Sequence, residues 1–428
     1  MHYVIVGNGV AGTRAALTIR RRHGPKHARI TLISDESPYF FSRTALMYAY
    51  MNRLSRRDLE PHERQVYERQ KIRRLQARVV DLDASSRTLS LDDGSTLDYD
   101  RCLLAVGAAP RMVDFGGLDD VQEGLVHFVS LQDLDHCERL TWSTSQAVVV
   151  GGGLIGVELV ESFLHHGLDV TFLVREPYYW PAAFAEEEGQ MITEHIRSHG
   201  VDLRHEEELT DIEVDNEGRV CSIKTSQGDR LPCQMLGIAI GVVPNVNWLR
   251  DVTTPPAIGG ALRVDRSFKT TVPDVWGAGD CVEIDLAESR PPLHEPIWYA
   301  ARLHGELAAR SMMGDEIHYE PPIFYNSSKF FDIEYTTVGD VQGLAQGTQS
   351  LFRRMADKPI SQRIVFDDEE RVTGFSMLGS RWDHTILTRW IEERRSLDFV
   401  RDHLHRAQFD VEFGRVDLDA MTEEVRPL

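Results

Sequence analysis

Apolar residues in this chain follow two alternating rhythms. Short unbroken runs, His2–Val6, Arg29–Ile33, Cys102–Val106, Ala147–Val150, Val170–Val174 and Met235–Ile240, have strand length and are rich in Val, Leu and Ile. That is how strands covered on both faces read. Segments of helical spacing alternate with them: Thr13–Arg22, Glu158 to about His166, Gln190–His199 and Pro296–Met313. Strand, helix and strand in succession predict βαβ units, and hence an α/β fold on parallel sheets. Val79–Asp83, Thr88–Asp92 and Thr96–Tyr99, turning at Asp92-Asp93-Gly94-Ser95, read as a small antiparallel meander. Further strands are expected around Val201–Arg204, Glu208–Val214 and Val220–Thr225, and Asn52–Arg78 reads as a polar helical stretch. From Asn326 the texture changes to strands near Phe330–Val338, Arg363–Phe366 and Val372–Leu378, a helix Thr385–Glu393 and a charged helical tail near Leu397–Arg406.

Two of the strand-to-helix junctions carry the same glycine spacing. The first is Gly7-Asn8-Gly9-Val10-Ala11-Gly12 and the second Gly151-Gly152-Gly153-Leu154-Ile155-Gly156. In such a turn the first glycine permits a sharp reversal, the second admits a pyrophosphate close to backbone, and the third lets helix press against strand. The helix N-terminus then aims its free N–H groups at the phosphates. Each unit is closed by an apolar strand and a Gly-x-x-Pro, at Gly107–Pro110 and Gly241–Pro244, so the plan is duplicated. Asp35 and Glu36 end the strand that follows the first helix, where an acid suits the hydroxyls of an adenosine ribose or is simply a charged strand end. Val275–Asp280 reads as a strand delivering Gly279 and Asp280 to a following helix, which places a carboxylate beside a ligand's hydroxyl chain.

Composition narrows the partners. The chain has 428 residues and a formal net charge of −20, which argues against nonspecific nucleic-acid or membrane binding. No apolar run reaches the roughly 18 residues that span a bilayer, and no signal-peptide pattern precedes the first strand, so a cytoplasmic protein is expected. The five cysteines form no Cys-x-x-Cys pair and no metal-ligand spacing, and no metal is expected. Against the acidic background, residues 52–78 hold eight Arg and one Lys against four acids.

The ordered set Gly7–Gly12, Gly107–Pro110, Gly151–Gly156, Gly241–Pro244 and Val275–Asp280 resembles the flavin-dependent pyridine nucleotide–disulfide oxidoreductase superfamily over nearly the whole chain. The resemblance implies two Rossmann-like domains, for FAD and NAD(P), plus a C-terminal α+β interface domain. The FAD domain would be split, 1–115 and 246–325, around an NAD(P) domain at 116–245, with the interface domain at 326–428. It implies that Gly7, Gly9, Val10, Ala11 and Gly12 hold the FAD pyrophosphate, and Asp35 or Glu36 its ribose. Asp280, after Gly279, would bind the ribityl chain, with Ser42, Arg43, Val79, Gly107 and Trp298 also near FAD. Gly151, Gly153, Leu154, Ile155, Gly156 and Gly241 would hold NAD(P)H.

Disulfide reductases of the superfamily carry a redox cysteine in the segment after the first acid, whereas Phe40-Phe41-Ser42-Arg43-Thr44-Ala45-Leu46-Met47-Tyr48 has none. That stretch is similar to one in ferredoxin, rubredoxin and nitrite reductase flavoproteins, with Thr44 in place of a Pro. Tyr48 stands where those families often place a Lys that pairs with the Glu of the second fingerprint. Glu158 and Tyr48 are therefore the catalytic candidates, Glu158 as a group that binds the nicotinamide carboxamide or as an acid favourable to the helix dipole. Lys329-Phe330-Phe331-Asp332-Ile333 resembles the interface domain of coenzyme A disulfide reductases, which implies a homodimer. Val174-Arg175 resembles NADPH users, Arg175 meeting a 2′-phosphate, while Glu176 leaves NADH open.

The expected activity is FAD-dependent NAD(P)H oxidation that passes electrons to an external ferredoxin- or rubredoxin-like protein, steered by the basic segment 52–78. A small-molecule, quinone-type reductase and a non-catalytic redox sensor or assembly partner are the alternatives. Tyr178, Tyr179 and Trp180 read as a core or loop cluster rather than a substrate cage.

Overall fold

The computed structural model describes residues 1–249, 260–286, 291–342, 347–409, 416–418 and 421–427. The chain forms two compact units, each assembled from three segments. The first comprises Met1–Val113, Val126–Trp142 and Ile240–Glu320, the second Asp114–Leu125, Ser143–Ala239 and Pro321–Leu428.

The first unit is built on a parallel five-stranded sheet in the order Val275–Gly277, Arg101–Leu104, His2–Val6, Arg29–Ser34, Ile72–Gln76. Every side chain of His2–Val6 is buried, which accounts for its continuous apolar run. The helices Val10–Arg22 and Trp298–Met312 pack together so closely that a Cβ on Gly305 would lie 2.1 Å from the Ala11 carbonyl oxygen. The Arg14–Glu306 ion pair joins the same two helices. The meander is Val79–Asp83, Thr88–Leu91 and Thr96–Asp98, and Ala108–Pro110 pairs antiparallel with Val242–Pro244.

The second unit repeats the parallel plan with Asp202–His205, Asp169–Val174, Gln146–Val150 and Met235–Ile238 as neighbours, and with helices Leu154–His165 and Glu186–Ser198. An antiparallel sheet of six strands completes it, ordered Tyr325–Phe330, Ile333–Gly339, Val372–Leu378, Ser361–Phe366, Gln349–Arg354, Thr422–Pro427. Leu351, Ile364, Phe375 and Met377 on this sheet share an apolar cluster with Trp390 and Leu387 of helix His384–Glu392 and Val400 of helix Leu397–His403. Elsewhere in the unit Arg363 is buried, its guanidinium bonding both carboxylate oxygens of fully buried Glu188 at 2.7 Å and the Ser350 hydroxyl at 2.8 Å.

Four sequence expectations need correction. Asn52–Arg78 is not one helical stretch. It forms a 3-10 turn Arg56–Leu59, a short helix Arg64–Arg69 that ends where Lys71 takes φ +52, and the edge strand Ile72–Gln76. The strand was masked because Arg73 and Arg74 sit in it, the latter stacked over Tyr39 at 4.2 Å. The run read as one strand over Phe330–Val338 is a hairpin that reverses at Phe331, φ +56. Strands Gln349–Arg354 and Thr422–Pro427 carry no apolar–polar alternation in sequence, the first ending on two adjacent arginines and the second holding two adjacent glutamates. Finally, Gly279-Asp280 leads into strand Val282–Asp285, not directly into a helix.

Candidate functional site

The first glycine loop is held by three different constraints. Gly7 has φ +101, and a Cβ there would meet the Ala105 carbonyl oxygen at 2.1 Å. A Cβ on Gly12 would lie 1.9 Å from the Gly7 carbonyl oxygen, so helix and strand touch through backbone alone. Gly9 is the reverse case, with nothing within 4 Å of its Cβ position. That open space lies at the start of helix Val10–Arg22, which has no side-chain cap and no acid in its first turn. Free N–H groups, positive helix end and missing side chain together make a cradle for an anionic phosphate.

Around this loop the other expected residues of the first unit gather unequally. Gly279, φ +84, brings its Cβ position to 3.2 Å from Ala11 Cβ and so sets Asp280 beside the loop. Burial pushes the Asp280 carboxyl above the usual carboxylate range, against the pull of His294, Arg43 and His304. Trp298 opens its helix with a buried indole N–H that has no hydrogen-bond acceptor among the described residues. Glu36 is occupied: its carboxylate takes Arg43 at 2.7 and 3.0 Å and the Leu131 N–H at 3.1 Å. Asp35 pairs with Arg78 at 2.9 Å. Ser42 and Thr44 hydroxyls lie 3.2 Å apart, Tyr48 sits on the short helix Leu46–Tyr50, Val79 is a buried strand start, and Gly107 has φ +65 with open space beside it.

The second loop, in the second unit, copies the first. Gly151 has φ +112, a Cβ on Gly156 would lie 2.0 Å from the Gly151 carbonyl oxygen, and Gly153 has nothing within 4 Å. Helix Leu154–His165, led by Leu154 and Ile155, again lacks a side-chain cap and a first-turn acid. Tyr179, fully buried, donates its hydroxyl to the Gly153 carbonyl at 3.2 Å and so braces the loop from behind. Tyr179 and Trp180 pack with Phe330, Phe184 and Tyr335, which makes them core as expected. Val174 presses on Gly152, while Arg175 is exposed and bonds Glu176 at 2.9 Å. Gly241, φ +108, belongs to the first unit, not to the second with the other expected NAD(P)H residues.

Glu158 falls on the second turn of its helix, not the first. Burial, opposed by Lys329 and reinforced by Glu161, pushes its carboxyl up to about 7. Lys329 bonds both oxygens of Glu161 at 2.6 and 2.8 Å. A lysine therefore does stand near the fingerprint glutamate, but it comes from the C-terminal sheet. Sequence reasoning named Lys329 only as part of a resemblance, because no local pattern links it to Glu158. The folded chain holds the Glu158 proton to about pH 7, whereas an unfolded glutamate releases it near 4.5. That stabilisation is complete below pH 4.5 and gone above pH 7, a swing of at most about 3 kcal/mol. Glu158→Gln should accordingly raise Tm relative to the parent at pH 8 and not at pH 4.5, read by calorimetry; equal shifts at both would refute the assignment.

Four of the five thiols are buried, and Cys221, on strand Val220–Thr225, is exposed. Cys102, Cys137, Cys233 and Cys281 are buried, and burial pushes the Cys233 thiol up to about 12 and that of Cys281 to about 11. Neither is a thiolate at neutral pH, the form a redox cysteine needs.

A family model described as pyridine nucleotide-disulphide oxidoreductase matches residues 1–302. The ferredoxin–NAD(+) reductase component of a p-cumate 2,3-dioxygenase system from Pseudomonas putida is 26% identical, covering 92% of this chain and 94% of its own. Terpredoxin reductase from a Pseudomonas species is 27% identical over 93% and 94%. Among solved structures, putidaredoxin reductase in its covalent complex with putidaredoxin superposes with a TM-score of 0.80 at 21% identity, over 92% and 93% of the two chains.

Proposed function

Since the chain belongs to the pyridine nucleotide–disulphide oxidoreductase family, a family of FAD- and NAD(P)H-dependent enzymes, we propose that it reduces an external iron–sulfur protein. The observation that carries this is the missing cysteine in the segment after the first acid: Phe40–Tyr48 contains none, and burial keeps Cys102 and Cys281 protonated. Relatives whose names specify ferredoxin or terpredoxin reduction support the same class of acceptor. FAD, when bound, would supply the redox chemistry between NAD(P)H and a one-electron acceptor.

The residues supply position. Gly9 and the N–H groups of Val10 and Ala11 cradle the FAD pyrophosphate, and Trp298 donates to the flavin region. Asp280 reaches the ribityl chain. Because Glu36 already accepts from Arg43, its part is to hold Arg43 in place, with Asp35 nearer the exposed ribose side. In the second unit Gly153 admits the NAD(P)H pyrophosphate and Glu158, about half protonated at pH 7, donates to the carboxamide oxygen in its neutral form. Arg175 exchanges Glu176 for a 2′-phosphate, which favours NADPH over NADH.

The acceptor's docking face is the basic segment. Arg56 is tied to Asp135 and Glu138, and Arg57 and Arg64 to Glu60, so exposed Arg53, Arg69, Lys71 and Arg73, in no ion pair among the described residues, are the charges left to steer an acidic partner. Residues 326–428 serve as a dimer interface, and the enzyme acts in the cytoplasm. Among the described residues no helix is long and apolar enough to cross a membrane.

The test is rapid mixing with NADPH or NADH under anaerobic conditions, followed by an acidic ferredoxin. NADPH should bleach the flavin faster and the ferredoxin restore it. Arg53→Glu together with Arg73→Glu should lower kcat/KM for the ferredoxin about tenfold at low salt while leaving flavin reduction unchanged. Turnover with a quinone that exceeds any protein acceptor would replace this reading, and absence of turnover with either would favour a sensor.

A further inference from the structure

We propose that His195, His199 and Asp332 form a zinc-binding site that staples the helix Glu186–Ser198 to the hairpin of the C-terminal sheet. Both elements belong to the second unit, and the proposal is independent of which acceptor the enzyme uses.

Three observations meet at this place. The ligand atoms of the three residues all lie within 4.8 Å of one another. His195 Nε2 is 2.5 Å and His199 Nε2 3.8 Å from the same Asp332 oxygen, Oδ1. Around a tetrahedral zinc with bonds near 2 Å, neighbouring ligand atoms stand roughly 3.3 Å apart, a value these two distances bracket. Small side-chain rotations therefore suffice to admit the ion, with no backbone movement.

The second observation is the tautomer. His199 Nδ1 lies 2.9 Å from the His195 carbonyl oxygen, an acceptor, so Nδ1 donates there and Nε2 is the ring nitrogen turned to Asp332. A metal-binding imidazole is held the same way, its second nitrogen donating to a carbonyl that fixes both ring orientation and protonation.

Third, the carboxylate is presented rather than merely present. Phe331 adopts φ +56, a conformation that L side chains rarely take, and this turn carries Asp332 toward the helix. The Phe331 ring stacks on His199 with centroids 4.4 Å apart and planes at 23°, which holds the hairpin tip against the last helical turn. His195 and His199 are separated by four positions, so their side chains stack on one helical face, at 4.6 Å between ring centroids.

Two imidazoles and one carboxylate, with a fourth position open to water, suit zinc or a neighbouring imidazole-preferring divalent metal and disfavour magnesium and calcium, which take oxygen ligands. Zinc takes one nitrogen lone pair from each neutral imidazole, the ring proton of each residing on the other nitrogen, and Asp332 binds as the carboxylate. No oxidation or reduction is involved.

The experiment is calorimetric titration of the untagged, FAD-loaded full chain with zinc chloride, with thermal unfolding followed in parallel. One zinc per chain at micromolar affinity, a raised Tm, and no response to magnesium are expected. Asp332→Ala and His199→Gln, both at exposed positions, should each weaken binding at least about tenfold and remove the Tm increase. Their flavin spectra and their Tm without zinc read whether the fold is kept. Calorimetry showing no micromolar binding, or binding unaltered in both variants, would overturn the site.

Discussion

Gly156→Ala should give a yellow protein that limiting NAD(P)H reduces about a hundredfold more slowly. The added Cβ would sit 2.0 Å from the Gly151 carbonyl oxygen and 3.3 Å from the Phe172 ring, and the first of these neighbours is backbone. Helix Leu154–His165 must back away from its strand, and the N–H groups at its start move with it. Overpacking of this kind costs about 1–3 kcal/mol or more. Expressed in the binding of the nucleotide, that is on the order of a hundredfold loss in the rate of flavin reduction at limiting NAD(P)H. The first unit has its own loop, so bound FAD and its absorbance should be retained. Gly153→Ala is the informative contrast. Its Cβ meets no protein atom within 4 Å, so the variant should fold with an unchanged Tm and lose affinity for NAD(P)H only. Stopped-flow reduction at several nucleotide concentrations reads both; parent-like reduction in the two variants would show that the loop does not hold the nucleotide.

Arg363→Ala should be the most destabilising single change in the second unit. Glu188 is fully buried, and burial raises its pKa while Arg363 lowers it. Removing the guanidinium leaves that carboxylate without its partner and strips the Ser350 hydroxyl and one Glu187 oxygen of theirs. Breaking a buried ion pair from one side costs about 3–5 kcal/mol. Arg363→Met combined with Glu188→Gln removes both charges and should recover more than half of the loss, because a neutral amide no longer demands a cation. Chemical denaturation of parent, single and double variants checks this, and a double variant no better than the single would place the cost in packing instead.

The parts of the molecule that could be read from sequence are those in which local pattern and chemistry coincide. Both fingerprints lie between a buried apolar run and a helix, and each glycine's spacing answers a steric demand that the fold repeats at Gly7, Gly12, Gly151 and Gly156. Val79–Asp83 and its meander, and the aromatic core role of Tyr179, followed from alternation and composition. What escaped was decided at long range. Ile72–Gln76 is a strand because Arg29–Ser34 offers an open edge, although two arginines give it no β pattern. Lys329 reaches Glu161 from 168 positions away, so a search confined to the segment near Tyr48 passed over it. The engagement of Glu36 by the Leu131 N–H depends on helix Leu131–Thr141, whose place within the first unit no local signal specifies.

The segmented first unit has a consequence for how the protein is made. Leu104 lies on a strand whose outer neighbour is Val275–Gly277, and its carbonyl also receives the thiol of Cys281, 177 positions later. At about 5–20 residues per second, a ribosome needs roughly 10–35 seconds to cover that interval. During that time the edge at Arg101–Leu104 faces the cell unpaired, and Asp280 is not yet available beside Ala11. The second glycine loop, with its strands running from Gln146 to Ile238, is complete earlier. Nascent chains should therefore gain the nucleotide-binding half before they can retain flavin, and expression strains short of chaperones should accumulate colourless, aggregated protein.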